Sequence, residues 1–235
     1  MFISRYIVYF IVFSFLGWIW ETVYCTITNK KWESRGFLFG PVCPIYGVGA
    51  ISGFAVIDIL KFNHMPALEW WQVALISFFG SAVLEYSTSV LLEKLFHAYW
   101  WDYSEMPLNI KGRICLPASI GFMLGGLFVV YVLYPFFIYV SSFIPQLIFE
   151  ISAFIIVIII TIDITLTVSA LTDVQNKVSS IDDSINDYMT DFVEELYRNT
   201  TSVSKGVLSR VRGVRFSKPT QTKIYMKLIE KIRKR

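Results

Sequence analysis

Residues 145–171, PQLIFEISAFIIVIIITIDITLTVSAL, decide the fold of this chain. A helix needs about 20 mostly apolar residues to cross the hydrocarbon layer of a membrane, and this segment is long enough. Similar segments precede it at roughly 5–27, 43–60, 69–95 and 116–140. The segment at 43–60 is short and contains three glycines, but we count it as spanning. The sequence therefore predicts an all-α polytopic membrane helix bundle with about five transmembrane helices.

The composition supports this interpretation. Hydrophobic residues make up 55% of the chain, against roughly 45 to 50% in ordinary globular proteins. The 20 Phe, 13 Tyr and 7 Trp residues supply the aromatic anchors that membrane interfaces favour. The first apolar run, 6–23, has no basic region before it and no small-residue cleavage site after it. We expect it to remain as the first spanning helix.

The basic residues predict the orientation. Loops that remain in the cytoplasm are enriched in Lys and Arg. With five spans and the C-terminus inside, the outer segments hold only Arg5 and Lys61. The inner loops then hold Lys30, Lys31, Arg35, Lys94, Lys111 and Arg113. The N-terminus is predicted outside the cell membrane and the C-terminus in the cytoplasm.

Among the acids that interrupt the apolar segments, we single out three that this topology places in the inner half of the membrane. They are Glu21, Glu85 and Asp163, and the inner loops add Arg35 and Arg113. Ionisable groups inside a membrane are costly and usually mark function, which favours a site that binds or moves a ligand. Alternatively, Glu21 pairs with Arg35 and Glu85 with Arg113 to hold helices and loops in register. Asp163 can also bond a neighbouring backbone and have no other role.

The two inner loops resemble one another. Each contains tryptophan, an acid, Arg beside Gly, a Cys and a Pro, and each leads into a Gly-rich helix. A shift of 72 residues superposes Cys43 on Cys115 and maps helix-loop-helix onto helix-loop-helix. This pattern favours a parallel two-helix repeat, and transporters often place their sites where repeats meet. The Gly-x-x-x-Gly spacings at 49–53 and 121–125 predict that the second and fourth helices pack closely.

Residues for several kinds of catalysis are missing. His64 and His97 are the only histidines, which leaves little material for a His-based triad or a metal site. The three cysteines lie on the inner side, where thiols stay reduced. No P-loop motif occurs, so an ATPase motor would have to be a separate subunit. The sequence predicts no metal and no cofactor.

The chain changes character after Ala170, which gives three expected regions: a transmembrane domain at 1–172, an acidic amphipathic helix at 173–204 and a basic tail at 205–235. Apolar residues recur in the second region at heptad-like spacing, namely Val174, Val178, Ile181, Ile185, Tyr188 and Phe192. Such a helix can dock on a partner, self-associate in a homo-oligomer, or fold against the inner loops. The basic tail is expected to lie on anionic membrane lipids or to contact an acidic partner. With few stacking aromatics in this tail, nucleic acid is not an expected partner.

Several short motifs occur in one order along the chain. They are FLGWIWE at 15–21, RGFLFGP at 35–41, PIYG at 44–47, LEY at 84–86, WDYS at 101–104 and NIKGRI at 109–114. In these motifs the chain resembles the bacterial membrane family known as Putative ABC-transporter type IV (CmpB-like). The resemblance covers about residues 5–135, and the family's name implies a permease. It carries over no established catalytic or binding residues.

The leading hypothesis is a permease-like subunit that binds or moves a small solute or lipid. A cytoplasm-facing polar cavity is expected, lined by Glu21, Arg35, Glu85, Asn109 and Arg113, with Asp163 as a further candidate. Such a subunit needs an ATPase partner or an ion gradient. A membrane-embedded enzyme is the main alternative, with Glu21 or Glu85 as general base and the arginines holding a lipid phosphate. A scaffold that acts through its C-terminal tail is the third hypothesis, in which Glu21 and Glu85 tolerate Gln.

Overall fold

A computed structural model describes residues 3–30, 32, 34–179, 189–214 and 219–233. In this part of the chain, five helical segments are long and apolar enough to cross a membrane. They are α1 (Ile3–Asn29), α2 (Pro44–Phe62), α3 (Trp70–Phe96), the combined segment Leu116–Ser142, and α6 (Gln146–Ser179). The all-α membrane bundle with five spans is therefore confirmed. The first four segments begin and end within two residues of the expected positions, whereas α6 continues well beyond 171.

The fourth span is not a uniform helix. It consists of α4 (Leu116–Phe128), one π-helical turn (Val129–Leu133) and α5 (Tyr134–Ser142). Pro135 follows that turn, and proline has no N–H with which to continue the α-helical hydrogen bonds. A π turn accommodates such an interruption by widening the helix locally. The segment therefore crosses the membrane without ending at the proline.

The membrane helices form two pairs, α1 with α2 and α3 with α4, and α6 packs against α1. The loop at 30–43 joins the first pair and the loop at 97–115 joins the second. The second helix of each pair has a buried cysteine at its N-cap, Cys43 or Cys115, and a proline in its first turn. This shared start agrees with the parallel repeat expected from the sequence.

α2 meets the fourth span at Gly53, where an added Cβ would lie 4.0 Å from Val130 of the π-helical turn, but the close packing expected at the other glycines is not formed. A Cβ atom added at Gly121 or Gly125 would meet no other residue within 4 Å, and one at Gly49 would only touch Leu84 at 3.9 Å. The rings of Tyr46 and Phe122 lie between the two helices instead, with centroids 5.7 Å apart. Aromatic side chains of this size keep the glycines apart.

The ends of the bundle differ in character. The end opposite the two loops has an aromatic core that includes Tyr9, Phe13 and Phe54. Beside it, Asp58 of α2 accepts hydrogen bonds of 2.5 Å from Tyr6 of α1 and from Tyr134 of α5. Both carboxylate oxygens of Asp58 are thus used to join three helices. We call the other end, which carries loops 30–43 and 97–115, the loop face.

The C-terminal unit, residues 189–214 and 219–233, folds against the loop face. It contains α7 (Met189–Asn199), α8 (Ser202–Leu208), β2 (Gly213–Val214) and α9 (Pro219–Arg233). β2 pairs antiparallel with β1 (Ala98–Tyr99) of the second loop. The core of this unit is shared with α3, the second loop and α6, and its buried members include Phe96, Trp100, Leu171, Val174, Val207, Leu228 and Ile229.

The regions expected at 173–204 and 205–235 are only partly described. The position expected to divide the membrane domain from the acidic helix, 172/173, lies inside α6. Val174 of the heptad-like stripe is buried in the shared core, whereas Ile181, Ile185 and Tyr188 lie outside the described residues. Lys231 of the basic segment pairs with Glu194 of the acidic segment at 2.7 Å. This ion pair lowers the pKa of the Glu194 carboxyl.

Candidate functional site

Glu85 lies on α3, and its side chain is only 4% exposed. Its Oε1 accepts a hydrogen bond of 3.3 Å from the hydroxyl of Tyr103, in the second loop. Its Oε2 is buried and has no hydrogen-bond partner among the described residues. A buried polar atom without a partner carries a desolvation cost of about 1 to 3 kcal/mol. Glu85 is therefore an acid that the fold leaves partly unsatisfied.

Glu21 lies near the loop-face end of α1 and accepts a hydrogen bond of 2.5 Å from Tyr46 of α2. Burial and then the negative charges of Glu85 and Glu21 raise the pKa of the Tyr103 phenol above its usual value. Both carboxylates therefore contribute to the electrostatic environment of this hydroxyl. We call these four residues, Glu21, Tyr46, Glu85 and Tyr103, the acidic site.

The expected pairing of Glu85 with Arg113 is wrong. Nη2 of Arg113 donates to Oε2 of Glu93 at 2.5 Å, and Nη1 donates to Ser89 at 3.0 Å. Glu93 lies eight residues after Glu85 on α3, which is about 12 Å nearer the loop face at 1.5 Å per residue. An arginine in the loop reaches this nearer carboxylate, so Arg113 does not neutralise the acidic site.

The expected ion pair between Glu21 and Arg35 is also not formed. The backbone N–H of Arg35 donates to Thr22 at 3.3 Å, its Nε donates to Cys25 at 3.0 Å, and its Nη1 donates to the carbonyl of Trp100 at 3.4 Å. Arg35 thus ties the end of α1 to the second loop. In the part of the chain that the structure describes, neither Glu21 nor Glu85 forms an ion pair with a basic residue.

Asp163 on α6 contacts the first loop rather than the acidic site. Its carboxylate accepts the backbone N–H groups of Phe39 at 2.9 Å and Gly40 at 2.8 Å. The anion that these two amides hold is the chain's own Asp163. Its contacts agree with the alternative role considered for Asp163, that of bonding a neighbouring backbone.

Asn109 organises the second loop. Its side-chain amide donates to the carbonyls of Ser104 and Met106 at 3.1 and 2.9 Å, and its oxygen accepts the N–H of Gly112 at 3.1 Å. The carbonyl of Gly112 in turn accepts the N–H of Tyr103 at 2.8 Å. Through Gly112, Asn109 supports the backbone that presents Tyr103 to Glu85.

Gly112 gives the first testable prediction. Its φ is +68°, and an added Cβ would lie 2.6 Å from both Asp102 Oδ1 and Ser104 Oγ. Because the conformation and the space both disfavour a side chain, Gly112→Ala should cost about 1 to 3 kcal/mol. The measurement is the thermal unfolding midpoint of the purified protein in detergent. Gly121→Ala, where the Cβ meets nothing within 4 Å, should not lower the midpoint; equal losses in both variants would contradict the prediction.

A small polar pocket lies beside the acidic site, on the loop face. It is lined by Ser89, Glu93, Tyr99, Trp101, Asp102, Lys111, Gly112 and Arg113. Of the residues expected to line a cavity, only Arg113 belongs to this pocket. The acids, Arg35 and Asn109 lie elsewhere on the loop-face half of the bundle, in the contacts given above.

Several residues with notable contacts in the structure were not predicted from the sequence. Tyr46 and Tyr103 stand inside the quoted motifs PIYG and WDYS, so their positions were available as a signal. Asp58 is an acid in a spanning segment, the same signal that identified Glu85. Arg210 carries no such signal, because nothing in its surrounding sequence indicates a contact with the first loop.

The five apolar helices, with Glu85 buried among them, define a multi-pass α-helical membrane protein. The family described as "Putative ABC-transporter type IV" matches residues 8–168, so the chain belongs to that family. The match covers the membrane helices and ends within α6, before the C-terminal unit. Comparison with curated proteins and with solved structures finds no match. The chain is thus a transport-related membrane protein, and the resemblance read from its motifs is confirmed.

Proposed function

We propose that the chain is a permease-like subunit that binds or moves a small, positively charged solute or lipid headgroup through the acidic site. The observation that supports this most directly is Glu85, whose Oε2 is buried without a hydrogen-bond partner among the described residues. Burying an unpaired carboxylate is unfavourable, and a cation at the site would relieve that cost. Such a residue is better explained by ligand binding than by stability.

The charges around the site favour a cation over an anion. Glu21 and Glu85 supply two carboxylates, whereas Arg113 bonds to Glu93 and Arg35 to Cys25 and Trp100. The phenol rings of Tyr46 and Tyr103 are also suited to an ammonium group, which is attracted to aromatic faces. Among the described residues, no three His, Cys, Asp or Glu side chains are placed to hold a metal ion. We therefore propose an organic ammonium group as the class of ligand.

The loop face is proposed to lie in the cytoplasm, with the N-terminus outside, because the basic loop residues belong to that face. Lys223 and Lys227 are exposed on α9 and are proposed to contact anionic lipid there. The family suggests an ATPase partner, which we propose would bind from the same side. Self-association of the acidic segment stays a prediction.

The experiment that tests the permease role is purification of the intact chain from its native membrane in mild detergent, with mass spectrometry of co-purifying proteins and small molecules. A stoichiometric ATPase would support a permease subunit. A chain that arrives alone and converts a retained lipid would contradict it and favour the membrane-enzyme alternative.

Glu85→Gln tests the ligand class directly. A ligand that binds only the folded protein stabilises it by RT ln(1 + [L]/Kd), and the unfolding midpoint rises accordingly. We expect methylammonium chloride to raise the midpoint of the wild type relative to sodium chloride at equal ionic strength. Because Glu85→Gln removes the charge and keeps the shape, affinity should fall by about tenfold or more. Glu105→Gln, on the exposed second loop, is the matched control and should behave as the wild type.

The opposite result is also informative. If methylammonium stabilises the wild type and Glu85→Gln equally, the ion acts elsewhere on the protein and the cation site is wrong. If an anion such as inorganic phosphate stabilises the wild type instead, the ligand class is wrong.

A further inference from the structure

The first loop is held between two oppositely charged side chains from distant parts of the chain. Asp163 of α6 accepts the N–H groups of Phe39 and Gly40. Arg210, which follows α8 in the C-terminal unit, donates to the carbonyl of Leu38 and, at 3.1 Å, to that of Phe39. Charge-assisted hydrogen bonds of this kind are stronger than neutral ones. The backbone at 38–40 is thus clamped through its amides on α6 and through its carbonyls on the C-terminal unit.

This clamp lies next to the acidic site along the chain. After Gly40, the backbone turns through the bond from the N–H of Val42 to the carbonyl of Gly40, and Cys43 then begins α2. Tyr46, which donates to Glu21, is in the first turn of that helix. Phe39 also packs against the core of the C-terminal unit. The first loop therefore connects the C-terminal unit to the helix that carries Tyr46 of the acidic site.

The same short segment of the C-terminal unit also holds the second loop. Arg212 donates its N–H to the carbonyl of Tyr99 at 2.7 Å, and Val214 pairs with Ala98. Residues 210–214 thus bond to the first loop through Arg210 and to the second loop through β2. The first loop leads to Tyr46, which bonds Glu21, and the second loop presents Tyr103 to Glu85. Both loops that lead to the acidic site are therefore bonded to this one segment.

We propose that the C-terminal unit is a gate on the loop face, which closes the acidic site when Arg210 binds the first loop and opens it when residues 210–214 move away. The proposal rests on the proposed function, because it assigns the acidic site a regulated entrance. Asp163 stays with the membrane helices and holds the loop's amides, whereas Arg210 moves with the unit. A phosphate or lipid need not take part, since both charges belong to the chain.

The protein contains its own reporter of this movement. Cys43 is buried directly after the clamped loop, and burial together with the charge of Glu21 raises the pKa of its thiol to about 12. Maleimides react with the thiolate, so Cys43 should react only when the gate opens. Cys115 has the equivalent position before α4, but both carbonyls that Arg210 bonds, those of Leu38 and Phe39, lie on the first loop. Cys115 therefore serves as the reference for substitutions of Arg210 and Asp163, which leave the pairing of β1 with β2 in place.

The first experiment measures the rate of N-ethylmaleimide labelling at each cysteine of the purified full chain by peptide mass spectrometry. Arg210→Ala should raise the rate at Cys43 by about tenfold or more relative to Cys115, because it removes both carbonyl contacts. Asp163→Asn, which loses one acceptor from the other side of the loop, should raise it in the same direction. Glu195→Gln removes a charge from the exposed surface of α7 and should change nothing. Unchanged Cys43 rates in both clamp variants would overturn the proposal.

A second experiment tests whether the unit must move. Ala98 and Val214 face each other in the antiparallel pair, where Cα separations of about 4.5 to 5.5 Å suit a disulfide. In the double variant with cysteines at these two positions, oxidation should slow labelling of Cys43 at least about fivefold relative to the reduced form of the same protein. Equal rates in the two forms would show that Cys43 is reached without movement of the unit, and the gate would be wrong.

These measurements need neither an ATPase nor a ligand. If the labelling experiments contradict the gate, the methylammonium and co-purification results still stand. If those two experiments contradict the proposed function, the movement of the unit can still be measured, but it has no role in transport.

Discussion

Gly47→Ala is expected to disrupt the packing of α1 on α2 and to destabilise the protein by about 3 kcal/mol, near the upper end of the range for overpacked cores. A Cβ atom at Gly47 would lie 2.6 Å from the carbonyl oxygen of Phe10 and would also overlap the hydroxyl of Ser14. Ser14 is fully buried, and the Phe10 carbonyl is part of the α1 backbone. Neither atom can move away unless the two helices separate.

The consequence for the acidic site follows from the same contact. Tyr46, the neighbour of Gly47, donates to Glu21 across the α1–α2 contact at 2.5 Å. Separation of the helices would lengthen this bond, so Gly47→Ala should weaken ligand binding as well as stability. The measurement is the thermal unfolding midpoint in detergent, with and without methylammonium chloride.

Gly49→Ala is the matched control for this prediction. It lies two residues further along α2, where an added Cβ would meet only Leu84 at the ordinary distance of 3.9 Å. Alanine is also a better helix former than glycine, so no loss is expected there. If both variants unfold at the same lower temperature, close packing at Gly47 is not the cause and the prediction is wrong.

The membrane helices could be predicted from sequence because their signal is local. A run of apolar residues of spanning length carries the same meaning wherever it occurs, and α3 and α4 accordingly begin within one residue of their expected positions. The intramembrane acids were found by the same local rule. Glu85 was thus identified as a candidate before any partner was known.

The partners of these acids could not be predicted, because pairing depends on distances between segments far apart in the chain. From the sequence, Arg113 could pair with either Glu85 or Glu93 on α3. Its bond to Glu93 depends on how deep the second loop enters the membrane. The Gly-x-x-x-Gly spacings likewise did not indicate that the rings of Tyr46 and Phe122 lie between α2 and α4. Loop depth and side-chain volume are tertiary properties.

The C-terminal region shows a different limit. Its basic charge predicts contact with anionic lipid, but charge does not report whether the apolar residues between the lysines are buried. In the structure Tyr225, Leu228 and Ile229 belong to a common core with β1 and the end of α6. Arg210 spans about 170 residues of sequence to reach the first loop, a contact that only the folded unit can supply.

Leu228→Ala is the strongest test of this core. Leu228 is 0% exposed on α9, and replacing a buried leucine by alanine typically costs about 2 to 5 kcal/mol. A loss of about 3 kcal/mol should increase local opening of the C-terminal unit by roughly 100-fold, because the cavity weakens the packing of α9 on the shared core. Limited proteolysis and amide hydrogen exchange of α9 in the full-length protein measure this opening.

Met226→Ala is the control, since Met226 lies on the same helix and is 38% exposed. It should leave proteolysis and exchange nearly unchanged. Equal effects of the two substitutions would mean that α9 lies on the lipid surface as an unpacked basic helix, as the charge pattern alone suggested. A selective effect of Leu228→Ala means that the unit is a packed body held on the loop face. Leu228→Ala should then also expose Cys43, because Arg210 can hold the first loop only while the C-terminal unit is folded.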